Sequence, residues 1–358
     1  MKKIIVFVFF LYVGSFAFSQ EKLSDFIDAV ASKINFNGTI LIERENKVVF
    51  NRSYGFANLE WKQPGSIDTK YKVASITKFF TAVLIMQLVE ENKVGLDMTI
   101  PVYIPTYKGD KTITIRQLLN HSSGMKNIDT ISSVESAVLN GVPLYQTPRT
   151  AKELLEKFCS EPVVAKPGSE FNYNNADYIV LGNIIEAVSG KSYGEVLRQR
   201  ILEPLRMSNT GLLSQHILLD KLASSYFKRD DLKKIVPDLP AYWENWYAAG
   251  AMYSTSADLL IFSKAVFGGK ILKKASLDSM FVSGKGEYGF GVWVYNDYEI
   301  DNKKYTIVKR PGQIMGAQSV LFHILETGLT IIILSNTGFI DIDGMVADLA
   351  VQASRVVN

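Results

Sequence analysis

Strand-like runs near both ends of the chain, with helical spacing between them, constrain the fold more than any other feature of this 358-residue sequence. Thr39-Ile40-Leu41-Ile42-Glu43 and Val48-Val49-Phe50 flank a polar Glu45-Asn46-Lys47 connection and read as a hairpin. Far downstream, Ser319 to Leu325 and Leu329 to Leu334 form a second β-branched pair, joined through Glu326-Thr327-Gly328, whose glycine suits a turn position of positive φ. Between the pairs, Phe79 to Glu91, Ala151 to Cys159, Asp177 to Val188, Tyr193 to Leu202 and Ala257 to Phe267 follow helical periodicity. The expected class is therefore α+β: an antiparallel β-sheet flanked by helices and closed by both chain ends, with an inserted mostly helical domain. Residues 20–105 and 245–358 read as the sheet domain and 106–244 as the helical one.

An apolar fraction of 47% against 21% charged residues supplies a large core and argues against long disorder. Residues 1–19 read as an export signal: Lys2-Lys3, an apolar run from Ile4, then Ala17-Phe18-Ser19 with small residues where a signal peptidase cleaves. Cleavage before Gln20 implies a periplasmic or secreted protein, and an uncleaved segment is the only route to a membrane that this reading offers. Loss of Lys2 and Lys3 takes the formal charge from +3 to +1, and there is no lysine or arginine run, so nucleic acid is not an expected partner. The single cysteine, Cys159, allows no intrachain disulfide and reads as a small core hydrophobe on a helix.

Three polar clusters carry the candidate chemistry. Ser75-Ile76-Thr77-Lys78 opens the apolar helix, and positions three apart share a helical face, so the Ser75 hydroxyl and Lys78 amine can meet. A lysine buried there has its charged form disfavoured and can accept a proton from serine. The spacing alone is weak, since Ser19/Lys22, Ser123/Lys126 and Ser225/Lys228 repeat it; Ser75 differs by starting a helix that is apolar nearly all round. Tyr173-Asn174-Asn175 precedes the next long helix. A tyrosine beside ammonium groups can be held as phenolate, a competent general base, and the Asn175 amide can serve a substrate carbonyl and Lys78. Lys309-Arg310-Pro311-Gly312-Gln313 lies beside the late strand pair, where Gly312 permits close approach of a ligand and Arg310 suits a substrate carboxylate.

In this order the clusters resemble the serine β-lactamase and penicillin-binding-protein superfamily, in the branch of class C β-lactamases, DD-peptidases and related esterases. Arg116 to Met125 is similar to that family's Leu-Leu-x-His-x-Ser-Gly segment, and Tyr173 to Thr210 and Ala248 to Thr255 follow its pattern, so the likeness spans about Gly38 to Gly338. The resemblance implies a serine hydrolase with Ser75 as acyl-forming nucleophile, Lys78 as proton acceptor, Tyr173 as partner base and acid, and Asn175, Arg310, Gly312 and Gln313 in substrate binding. The Ser75 amide and the backbone of Gln313 would form the oxyanion hole. No cofactor or metal is implied; the expected substrate is a small molecule or peptide, cell-wall derived among the options. Arg310-Pro311-Gly312 departs from the family's Lys/His-x-Gly triplet in lacking a hydroxyl at Pro311, which argues against efficient penicillin hydrolysis. Lys309 cannot substitute, because alternation along a strand turns it to the opposite face.

Two rivals remain at this level. A catalytically idle penicillin-recognising or cell-wall-binding module would explain the altered triplet. An α/β-hydrolase would use Ser192 within Gly190-Lys191-Ser192-Tyr193-Gly194, but that elbow needs a preceding strand, and a helical pattern stands there. The histidines His121, His216 and His323 show no metal spacing, and His121 resembles a packing and hydrogen-bonding position of the family.

Overall fold

The computed structural model describes residues 20–129 and 134–355; the export segment read in residues 1–19 lies outside them. Helix α1 (residues 20–33) leads into the hairpin β1 (Gly38–Arg44) and β2 (Lys47–Tyr54), followed by the long buried helix α2 (Thr77–Glu90). Then come α3 (Ala176–Ser189) and α4 (Ser256–Phe267). The chain closes with β3 (Trp293–Ile300), β4 (Lys303–Ile314), β5 (Ala317–Ile324), β6 (Thr330–Ser335) and α5 (Ile342–Ser354).

The strands form one antiparallel sheet in the order β3-β4-β5-β6-β1-β2, so both chain ends meet in its middle. Gly38 pairs with Ser335 and Ile42 with Ile331 across that seam. The β1–β2 connection places Glu45 and Asn46 at φ 50° and 63°, the left-handed geometry of a tight hairpin, and Gly328 turns at φ 70° between β5 and β6.

Alternation along the strands separates two cores. Leu41, Val308, Leu321, Ile332 and Leu334 face the core around α2 and α3, while Ile40, Ile42, Ile307, Val320, Ile331 and Ile333 face α1 and α5. The covering helices were open to sequence reading, since Leu23, Ile27 and Ala31 on α1, and Met345, Val346 and Leu349 on α5, recur at helical spacing. The helix expected over Tyr193–Leu202 is α-helical only over Tyr193–Leu197 and continues as a π-helical turn over Arg198–Leu202. Between the two ends the chain is mostly helical but also carries a two-stranded ribbon, Tyr226–Arg229 with Lys234–Pro237.

The candidate site lies where α2, the loop before α3 and β4 converge. Strand β3 pairs with β4 only as far as Trp293 opposite Lys309, which leaves residues 310–314 of β4 beyond its reach. The helical turn Ala74–Ile76, at the head of α2, packs there. A Cβ on Gly312 would come within 2.4 Å of the Val73 carbonyl oxygen and 2.9 Å of the Ser75 nitrogen, so only glycine lets the strand lie this close.

Candidate active site

Ser75 sits in that turn, preceded by Ala74 at φ 47°, a conformation that costs an L-residue roughly 1–2 kcal/mol. The strain is held by full burial of Ala74 and by its carbonyl, which accepts the Thr77 hydroxyl at 2.7 Å. Three residues on, Lys78 has no exposed surface. Its amine reaches Ser75 Oγ at 3.2 Å, Asn175 Oδ1 at 2.5 Å and the Ala249 carbonyl at 2.9 Å. Burial pushes the Lys78 amine below the usual lysine range; Tyr173 opposes that fall and Arg310 adds to it.

Tyr173, carried by the loop ahead of α3, donates its hydroxyl to Ser75 Oγ at 2.9 Å. The serine oxygen thus lies between an amine on its own helix and a phenol carried by a loop 98 residues on. Burial alone would raise the phenol, but the charges of Arg310 and Lys78 outweigh it and bring Tyr173 down to about 8.

Arg310 does not face a substrate carboxylate, contrary to the expectation from sequence. Its guanidinium is fully buried and donates to the Ser75 carbonyl at 2.6 Å, the Tyr288 hydroxyl at 2.7 Å and the Tyr173 hydroxyl at 2.7 Å. It acts on Tyr173 and on the turn that carries the serine. Lys309 does lie on the other face of β4, where its amine meets Asp343 of α5 at 2.7 Å.

Asn175 is buried, with Oδ1 on Lys78, while its Nδ2 donates to Asp129 at 2.5 Å. Asp129 also accepts the Tyr145 hydroxyl. Under Tyr173 lies His121, whose ring centroid is 4.5 Å from the phenol ring. Its Nδ1 pairs with Asp177 Oδ2 at 2.8 Å, and its carbonyl accepts Asn172 N at 2.8 Å, which anchors the Tyr173 loop. Burial drives this imidazole well below its usual range and pushes the Asp177 carboxyl well above its own, so the pair is held by a hydrogen bond between two buried groups. Asp129, Tyr145 and Tyr288 carry no signal in the sequence; His121 carries one, in its resemblance to a family hydrogen-bonding position.

Gly312 packs against the Ser75 turn, and the exposed Gln313 follows it at the free end of β4. Ser192 lies elsewhere: its hydroxyl caps the helix Tyr193–Leu197 and donates to Glu195 at 2.6 Å. An antiparallel sheet and a capping serine overturn the α/β-hydrolase reading. Among the described residues no group of three or more His, Cys, Asp or Glu side chains could hold a metal ion, and no helix is long and apolar enough to cross a membrane. Trp243 and Trp246 form an aromatic stack with Tyr145, whose ring lies 3.6 Å from that of Trp246, packed against Ala74 and Ile314.

Residues 28–353 match the family model described as Beta-lactamase. The chain belongs to that family. Penicillin-binding protein 4* of Bacillus subtilis (strain 168) is 25% identical over 344 residues, 88% of this chain and 72% of that protein. The teichoic acid D-alanine hydrolase of Staphylococcus aureus is 27% identical over 234 residues, 65% of this chain and 55% of its own length. Alignments to PbpX of Bacillus subtilis and to protein flp of Staphylococcus aureus span only 65% and 38% of those proteins. Among solved structures, the octameric penicillin-binding protein homologue from Pyrococcus abyssi superposes with a TM-score of 0.76 at 28% identity, covering 88% of this chain and 73% of that one. Membership in the β-lactamase family meets the expectations of fold and of a serine hydrolase of the β-lactamase and DD-peptidase type.

Proposed function

We propose that this β-lactamase-family chain is an exported serine hydrolase that acylates Ser75 with a small peptide, amide or ester and releases the acyl group to water. The observation that carries the reading is the meeting of Ser75 Oγ with the Lys78 amine at 3.2 Å and the Tyr173 hydroxyl at 2.9 Å. Tyr173 as phenolate, or the neutral Lys78 amine, takes the serine proton as Oγ bonds to the substrate carbonyl carbon. The developing oxyanion is received by the Ser75 amide and the Gln313 backbone. Collapse breaks the bond to the leaving amine or alcohol, which receives the proton from Tyr173. Water then adds to the ester carbonyl by the same route in reverse, frees the acid and restores the Ser75 hydroxyl.

The favoured substrates are D-amino-acid peptides, amides or esters, cell-wall derived among them. The relative named a teichoic acid D-alanine hydrolase supports this class. Arg310, engaged inward, and Pro311, without a hydroxyl, offer nothing to a β-lactam carboxylate. The leader-like pattern of residues 1–19 supports export.

The altered Arg310-Pro311-Gly312 triplet is what favours an idle binding module as second reading. A turnover panel of D-alanine p-nitroanilide, a D-Ala-D-Ala peptide, a chromogenic cephalosporin and p-nitrophenyl acetate, run with wild type and Ser75→Ala, separates the two. Turnover of the D-alanyl substrate or the acetate that disappears in Ser75→Ala is expected; none with any substrate would leave the binding module.

A further inference from the structure

A cavity of about 700 Å³ opens between the helical turns of residues 193–207 and the short strands Gly211–Leu212 and Met252–Ser254. It touches none of Ser75, Lys78, Tyr173, Asn175 or Arg310. Leu197, Leu202, Met207, Leu212 and Ile217 line it with aliphatic carbon, and Tyr253 brings the one aromatic ring. Its size lies within the range of small-molecule sites, which are mostly apolar with a few placed polar groups.

Local backbone geometry builds this wall. Residues 198–202 form a π-helical turn, in which the Glu203 amide donates to the Arg198 carbonyl five residues back. Residues five apart therefore stand over one another: Leu197 joins Leu202 on the cavity, and Arg198 forms an ion pair with Glu203. On the opposite side, a Cβ on Gly211 would come within 2.8 Å of the Tyr253 hydroxyl, so glycine leaves that hydroxyl its place.

The polar groups differ in how they are engaged. Thr210 is held by Ser254 and Asp258, and the charge of Glu203 is matched by Arg198. Arg206 has no ion pair, and the Tyr253 hydroxyl no hydrogen bond, among the described residues. One positive charge and one hydroxyl thus border an aliphatic cavity with no partner of their own, a complement to an anion that carries a hydrocarbon chain.

We propose that this cavity binds a single-chain aliphatic carboxylate, its chain along Leu197, Leu202, Met207 and Leu212 and its head at Arg206 and Tyr253. The site is separate from the hydrolase reading of Ser75 and does not depend on it.

Calorimetric titration of the protein with decanoate, octanoate, hexanoate and decyltrimethylammonium, each below its micelle-forming concentration, tests this. Decanoate should bind one site per chain, equally in wild type and Ser75→Ala, and the affinity should fall about 4-fold for each methylene removed. The cationic amphiphile should not bind. Arg206 and Ile217 are exposed, Ile217 at 60%, so Arg206→Ala and Ile217→Asp keep the fold, which circular dichroism checks. Arg206→Ala should weaken decanoate about 10-fold, and Ile217→Asp, which sets a like charge on the wall, should abolish saturable binding. Absence of saturable decanoate binding, affinity indifferent to chain length, equal binding of the cation, or unchanged affinity in either variant overturns the proposal. Binding lost in Ser75→Ala overturns it as well, by placing the ligand in the cleft of Ser75.

Discussion

In the proposed mechanism Lys78 and Tyr173 handle the proton of Ser75, and the charge of Arg310 helps to set the pH at which the phenol can give its own up. Replacing Lys78 by arginine leaves a group that stays protonated at any accessible pH, so Lys78→Arg should cut acylation by about 10³-fold or more with the fold retained. Burst kinetics and circular dichroism check this, and near-normal turnover would remove Lys78 from the mechanism. Arg310→Met removes a positive charge that lowers the phenol. The pKa of Tyr173 in the variant therefore rises, and the acid limb of the kcat/KM profile, expected at about 8 in the wild type, should move to higher pH by about one unit or more. A limb that stays put or moves down would show that Arg310 does not tune the base. Ser75, Lys78 and Tyr173 were legible because helical spacing and two short clusters fix them within a few residues. The direction of Arg310 was not: strand alternation gives its face, but whether a long side chain ends on substrate or on a phenol depends on Tyr173 and Tyr288, which arrive from distant loops.

Strand β4 and the head of α2 meet with no space between them, and the contact belongs to the elements rather than to either residue alone. In Gly312→Ala the new methyl would face the Val73 carbonyl oxygen at 2.4 Å, Ser319 Oγ at 2.6 Å and Ser75 N at 2.9 Å, so strand and turn must part. Overpacking of this kind costs about 1–3 kcal/mol, and a displacement near 1 Å at the serine lowers kcat/KM by about 10²-fold. Urea melts with steady-state rates measure both; unchanged activity would show that the close approach serves packing only. The hairpins β1–β2 and β5–β6 were readable from β-branched runs and their turns. Helices α1 and α5 are less legible than the hairpins, although the residues they turn to the sheet, Leu23, Ile27 and Ala31, and Met345, Val346 and Leu349, recur at helical spacing.

Across the whole molecule, the sheet is sealed where the two chain ends pair, and one of its faces depends on α5. Deleting residues 342–358 removes Ile342, Met345, Val346 and Leu349 from that core. Burial of four such side chains is worth about 6–12 kcal/mol, as large as the whole stability of a typical protein, so the truncated chain should not fold. Soluble expression with a cooperative melt would contradict this. The same architecture brings a helix head and a loop more than ninety residues later to one oxygen atom, with a late strand against the turn that carries it, and the proposed function stands on the reactivity of that atom. Mass spectrometry of tryptic peptides after incubation with a fluorophosphonate tests it most directly. A single adduct on the peptide containing Ser75, formed faster as pH rises toward 8 and absent in Ser75→Ala, is the predicted result. An unmodified Ser75 peptide, or an adduct on Ser192 instead, would contradict the account.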